Sequence, residues 1–369
     1  MKKLSFCLTL FIVAFFSCTS GVSRKSQEGA DTLPLAYSRL LHIVKHEGYH
    51  VAEIADPWKK GAVLHRYILV SNPKANHLPQ GTVIQVPVSK AVVFTTVHAS
   101  LLADMGLQGH ICGMADIDYV KRKEIGALIS SDRIADVGSS MSPNVEKIID
   151  LSPDIILLSP FENSGGYGRL DHIGVPIIEC ADYMEISPLA RAEWMKFYGM
   201  LFGAGHQADS IFNEVETRYT ALAEEAKQLG SQPTVMVDFP SGGTWYVPGG
   251  ESSIGRLIAD AGGKYCFADD RHSGSVALSL EKVVSQCEDA DLWFFRYGGK
   301  EKTLAGIADD YTFISHIKAF ADGNVYGCST ERTTFFESTP FHPERLLEDF
   351  ISMIHPQTGY QPTYFKRVK

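Results

Sequence analysis

Four arginines stand in segments where a ligand could reach them: Arg169, Arg271, Arg296 and Arg332. A guanidinium is a planar fork of donors that matches carboxylates, hydroxamates and catecholates, and it stays charged at any physiological pH. The plainer reading of each is a surface ion pair, which adds little to stability. Tyr167, Trp245 and Tyr297 stand in similar segments and offer flat rings to a large, partly apolar ligand. His98 follows an apolar run and opens a helical one, so it could bond a ligand or ligate a haem iron; a satisfied loop histidine is the other reading. Phe335-Phe336 reads as core. Two glutamates pose a different question. Glu251 lies in "VPGGESSIGRLIADAGG", after two glycines and before two serines, and Glu146 lies in "PNVEK". A carboxylate at a helix start is favoured by the helix dipole. A catalytic acid, a metal ligand or a surface gripped by a partner are the alternatives.

The elements that must position these residues follow from periodicity. Ile254, Leu257, Ile258 and Ala261 recur at helical spacing, with Ser252 or Ser253 as cap and Gly262-Gly263 as stop. From residue 91, short apolar strands ("AVVFTT", "ICGMA", "IADVG", "IILLS", "PIIEC") alternate with helical pieces such as "HASLLADMGLQG" and "NVEKIIDL". The style returns in "TVMVDF", "TWYVPG", "KYCFA", "LWFFR" and "NVYGC", closed by the helix "HPERLLEDFISMIH". Continuous apolar strands between helices predict parallel sheets covered on both faces. Residues 187–230 carry almost no strand signal and read as one stiff connecting helix beginning at Ser187-Pro188. Residues 31–90 read as a helix over "YSRLLHIVKHEG" followed by strands "HRYILV" and "TVIQVP". The fold class is therefore α/β: a lobe over 31–186, the connector 187–230 and a lobe over 231–369. In open α/β sheets ligands sit outside the carboxyl ends of the strands. That rule selects loops carrying His98, Ser140, Phe161, Tyr167, Arg169 and Tyr183 in the first lobe. In the second it selects Trp245, Arg271, Arg296, Tyr297 and Arg332.

Composition bounds the function. A chain of 369 residues suits two lobes, since single cores stop growing near ~250–300 residues. A net charge of −9 argues against a nucleic-acid partner, which requires a basic face. Met1-Lys2-Lys3 precedes the apolar run "LSFCLTLFIVAFF", too short for a comfortable membrane span, and then "FFSC". That ending resembles a bacterial lipobox, with Phe15 where the pattern prefers Leu. Residues 1–17 then form a lipoprotein signal peptide, Cys18 becomes the lipidated terminus, and 18–30 is a polar tether. The mature charge is −9 − 2 = −11, because Lys2 and Lys3 leave. Cys7 leaves with the signal peptide, and the five cysteines after Cys18 are scattered without a C-x-x-C, so no disulfide framework is expected. The 13 histidines are dispersed, which disfavours a free zinc or manganese cargo. No nucleophile elbow, H-E-x-x-H or phosphate loop appears, so a binding role is expected over an enzymatic one, with no resident cofactor. A surface lipoprotein enzyme and a passive ligand-capture protein are the rival readings.

Three stretches, in this order and spacing, resemble the helical-backbone class of ABC-transporter solute-binding proteins that serve iron–siderophore, haem and cobalamin importers. They are "NVEKIIDLSPDIILLS", "GVPIIE" leading to "FYGMLFGAGHQAD", and "YVPGGESSIGRLIADAGG". The resemblance covers roughly residues 90–357. It implies two Rossmann-like lobes joined by a helix, and a membrane-anchored protein facing the periplasm or the exterior. It also implies a permease dimer with its ATPase subunits as partner, Glu146 and Glu251 as the carboxylates that dock into arginine pockets of that dimer, and a metal chelate as cargo. The four arginines point to an anionic ferric chelate. A corrinoid is the alternative, although Ser140 and Pro160-Phe161 stand where corrinoid-binding members carry tryptophans.

Overall fold

The computed structural model describes residues 31–72, 77–163, 165–230 and 232–369. The signal peptide 1–17, Cys18 and the tether 18–30 lie outside the described residues. Residues 31–85 build a sheet in neighbour order: β1 (Asp31–Thr32), β2 (Leu41–His46), β3 (Tyr49–Ala55), β4 (Val63–Val70) and β5 (Thr82–Gln85). The first four strands run antiparallel and β5 runs parallel to β4. The pattern has period two: Leu41, Ile43, Ala52, Ile54, Tyr67 and Leu69 are buried while His42 and Lys45 face outward. This corrects the helix expected over "YSRLLHIVKHEG". Its few apolar residues fit either period, and pairing of β2 with β3 decides for strand. Two buried carboxylates of the connector region hold the segment that enters this sheet. Glu193 accepts the backbone N–H groups of Ala36, Tyr37 and Ser38 at 2.8–2.9 Å, and Glu185 accepts that of Leu40 at 3.0 Å.

The first lobe continues with β6 (Ala91–Val93), β7 (Ile111–Met114), β8 (Ala135–Asp136), β9 (Gly138–Ser139), β10 (Ser142–Pro143), β11 (Ile155–Leu158) and β12 (Ile177–Glu179). Its parallel sheet has the order β12-β11-β6-β7-β8, and β9 and β10 form a hairpin around Ser140-Met141. All four residues of β11, Ile155–Leu158, are buried, as a strand covered on both faces requires.

The second lobe contains β13 (Thr234–Val237), β14 (Pro240–Ser241), β15 (Thr244–Pro248), β16 (Lys264–Tyr265), β17 (Ser275–Ser279), β18 (Leu292–Tyr297), β19 (Val325–Ser329) and β20 (Lys366–Arg367). Its main sheet, β16-β13-β18-β19-β20, is parallel except for β20. "TWYVPG" is β15, which leaves that sheet for an antiparallel one, β14-β15-β17.

The connector is three helices, Pro188–Glu193, Met195–Leu201 and Gly205–Lys227, rather than one. Breaks fall at Trp194, which is fully buried, and at Gly203, whose φ of 71° suits glycine. Gly199 lets two of these helices touch: a Cβ there would lie 2.5 Å from Cβ of Ala208. The 23-residue helix spans about 35 Å at 1.5 Å per residue. Among the described residues no helix is long and apolar enough to cross a membrane.

Candidate ligand cleft and docking corners

A cavity of about 510 Å³ lies between the lobes. The first lobe contributes Phe94, Thr95, Thr96, Asp116, Tyr119, Lys121 and Ser140; the second contributes Thr330, Glu331, Thr333, Phe336 and Glu337. These residues follow β6, β7, β9 and β19, so the cavity opens at strand ends, where the rule for open α/β sheets expects a ligand. A second hollow of about 350 Å³ shares Phe94, Thr95 and Ser140 with it and adds Met141, Phe161 and Tyr167. Its size and mixed lining suit a small-molecule site. Tyr119, Met141, Phe161 and Phe336 are 70, 83, 52 and 50 % exposed, large apolar surfaces that a ligand would cover. Phe336 corrects the expectation of a core pair: in the short helix Phe335–Ser338 one ring turns inward and the next outward.

Several expected ligand contacts go elsewhere. Trp245 is fully buried, packs on Trp293 in the second-lobe core, and donates its indole N–H to the Val237 carbonyl at 3.3 Å. The departure of β15 from the main sheet places it there. His98 is also buried, with both ring nitrogens engaged, by Thr95 Oγ1 at 2.5 Å and Asp182 Oδ1 at 2.9 Å. Asp182 further accepts from Tyr198 at 2.9 Å and Arg191 at 3.0 Å. Burial works against the charged imidazole, but the Cys180 sulfur and the Asp182 carboxylate outweigh it and raise its pKa to about 10. No nitrogen of His98 is left for a ligand or an iron.

The arginines separate likewise. Arg296 forms two bonds with Asp238, 2.9 Å from Nε and 2.7 Å from a terminal nitrogen, and rests over Phe335 and Phe336. The void beside it, about 20 Å³, has room for no more than water. Arg332 pairs with Glu301 at 3.2 Å. Arg169 and Arg271 pair with the two glutamates expected to dock, at 2.7 Å to Glu146 and 2.9 Å to Glu251. None of the four lines the interlobe cavity. Arg169, Arg271 and Arg332 are exposed, and each lies against a carboxylate. Tyr183 is half-exposed and donates to the Pro160 carbonyl at 2.6 Å. Tyr297 packs on Phe295 away from the cavity, whereas Tyr167 lines the second hollow and donates to Glu179 at 2.7 Å.

Both glutamates sit at helix starts. Asn144 caps the helix Val145–Leu151 by accepting from the Lys147 N–H at 3.0 Å, leaving Glu146 in its first turn. Ser252 caps Ser253–Asp260 by accepting from the Gly255 N–H at 3.2 Å, with Glu251 one residue ahead. The double glycine before Glu251 is a crossing point rather than a hinge. A Cβ on Gly249 would lie 2.0 Å from the His272 carbonyl, and one on Gly250 would lie 2.5 Å from those of Phe267 and Asp270. This approach brings Arg271 to Glu251. Arg169, through its hydrogen bond, holds the Glu146 carboxyl below its usual range. Sequence reasoning missed Tyr119, Lys121 and Glu337; their one signal is position shortly after a strand.

The family description "periplasmic binding protein" matches residues 91–331. An uncharacterized lipoprotein of Methanocaldococcus jannaschii is 26 % identical, over 94 % of this chain and 93 % of its own. A cobalamin-binding protein of Halobacterium salinarum is 26 % identical over 52 % of each chain. The solved structure of an ABC-transporter substrate-binding protein from Listeria monocytogenes aligns with a TM-score of 0.58 at 17 % identity, covering 73 % of this chain and 99 % of that one. The sheet β1–β5 precedes the matched region, and the two lobes with the cleft between them fall largely within it. The chain belongs to the periplasmic binding protein family.

Proposed function

We propose that this chain is a membrane-anchored capture protein for a large metal chelate of the corrinoid kind, which it delivers to a permease dimer through Glu146 and Glu251. The observation that carries the cargo reading is the lining of the interlobe cavity: rings, hydroxyls and three carboxylates (Asp116, Glu331, Glu337) against one cation, Lys121. An anionic ferric chelate requires arginines free to grip it. Here all four candidates are tied to carboxylates outside that cavity. A corrinoid is large, partly apolar and rimmed with neutral amides, and such a rim matches carboxylate and hydroxyl acceptors. The similarity to a cobalamin-binding protein supports the same choice. The hydroxyl wall of Thr95, Thr96, Ser140 and Thr330 favours a second reading, an uncharged ferric hydroxamate. Cys18 as lipid site, and an extracytoplasmic location, agree with the lipoprotein relatives. The role is capture and hand-over, not catalysis.

Calorimetry with cyanocobalamin, ferrichrome and an anionic ferric tris-catecholate tests the cargo. Binding of cyanocobalamin and none of the tris-catecholate is expected. Tight binding of the tris-catecholate overturns the reading.

A further inference from the structure

Glu337 has the environment of a ligand-reading group. It stands in the short helix Phe335–Ser338 of the second lobe and is 4 % exposed. One carboxylate oxygen reaches across to the first lobe and accepts the backbone N–H of Lys121 at 2.8 Å and of Arg122 at 3.3 Å. The other oxygen is buried without any hydrogen-bond partner. Six buried side-chain polar atoms among the described residues share that condition, and only this one belongs to a residue lining the interlobe cavity. A buried carboxylate oxygen left unpaired is costly, and one at the edge of a binding cavity is paired most directly by the ligand.

We propose that Glu337 is a specificity residue of the cleft: its free oxygen accepts N–H groups of an amide-bearing ligand while the other fastens the second lobe to the Lys121-Arg122 backbone of the first. This rests on the capture reading above and adds the recognising atom. The chemistry selects donors. A primary or secondary amide supplies an N–H, whereas an ester, ether or carboxylate rim supplies none and leaves the oxygen unsatisfied. Ligand binding and the lobe–lobe bond then share one carboxylate, so cargo is sensed where the lobes meet.

The test compares the wild-type protein with Glu337→Gln by calorimetry, using cyanocobalamin and the cobyrinate heptamethyl ester, a corrinoid carrying esters in place of amides. The substituted side chain keeps a carbonyl oxygen for the Lys121 and Arg122 N–H groups but turns its own donors toward the ligand. Loss of a buried acceptor for a ligand amide should weaken cyanocobalamin binding about tenfold or more, at 1.4 kcal/mol per decade, with the melting temperature unchanged or raised. The wild-type protein should bind the ester at least as much more weakly than cyanocobalamin, a measurement that needs no variant. Equal cyanocobalamin affinity of E337Q and wild type, or equal affinity of the wild type for amide and ester, overturns the role of Glu337. If wild type binds no cyanocobalamin, the corrinoid reading alone has failed, and E337Q is read on ferrichrome, whose peptide ring also carries N–H donors. Unchanged affinity there, or binding of neither probe by the wild type, overturns the proposal.

Discussion

The same chemistry, a carboxylate facing a cationic side chain, serves opposite ends in two regions of this molecule. Beneath the first lobe, Asp182 is sealed from solvent and gathers His98, Arg191 and Tyr198. At the two helix starts, Glu146–Arg169 and Glu251–Arg271 lie open to water. A buried carboxylate stripped of its partners is strongly destabilising, whereas an exposed pair exchanges partners for water or for another protein at little cost. The buried cluster therefore fixes how the first lobe meets the connector. The exposed pairs leave carboxylates that a partner's guanidinium can take over, and bidentate geometry would orient the docked protein.

The largest expected effect is in the buried region. Asp182→Ala removes the acceptor of three donors and should lower unfolding free energy by about 3–5 kcal/mol, read by urea denaturation. A loss under about 1 kcal/mol would place the cluster with surface pairs and erase the contrast. A smaller effect is expected from pH. His98 is raised from 6.5 to about 10 on folding, so the folded state binds the proton more tightly than the unfolded chain. Its contribution is full below pH 6.5 and is lost as pH rises through about 10. Melts across that window should show a decline that His98→Gln flattens; an identical slope in both proteins would show that His98 is not the source. The smallest effect on stability belongs to the exposed pairs. Glu146→Lys and Glu251→Lys, singly and together, should leave the melting temperature and cargo affinity unchanged, while the double variant abolishes uptake in cells. Loss of cargo binding in the double variant would make these residues part of the ligand site instead.

Much of the frame was legible in the sequence. The parallel strand Ile155–Leu158 and residues 292–295 of β18 announce themselves as unbroken apolar runs, because a strand covered on both faces has no polar side to show. Asn144 and Ser252 cap the helices that their sequences mark, because capping is settled within three residues. Glu146 and Glu251 are placed by those caps, so local sequence was enough to present them.

What local sequence does not determine is the partner of a side chain. Arg271 and Glu251 lie 20 residues apart and meet only because two glycines admit a second strand of backbone. Arg296 and Asp238 lie 58 apart at the ends of adjacent parallel strands, and Glu337 reaches Lys121 across 216 residues. Trp245 looked like a ligand ring until β15 left the main sheet and buried it. The helix expected over "YSRLLHIVKHEG" became β2 because pairing with β3 outweighed an ambiguous period. Residue types and their periods thus determined which elements form and where the strand ends gather. Long-range pairing alone decided which arginines were already occupied, which rings face the cleft and which carboxylate oxygen is left without a partner, since burial and hydrogen-bond competition act between segments that sequence spacing does not bring together.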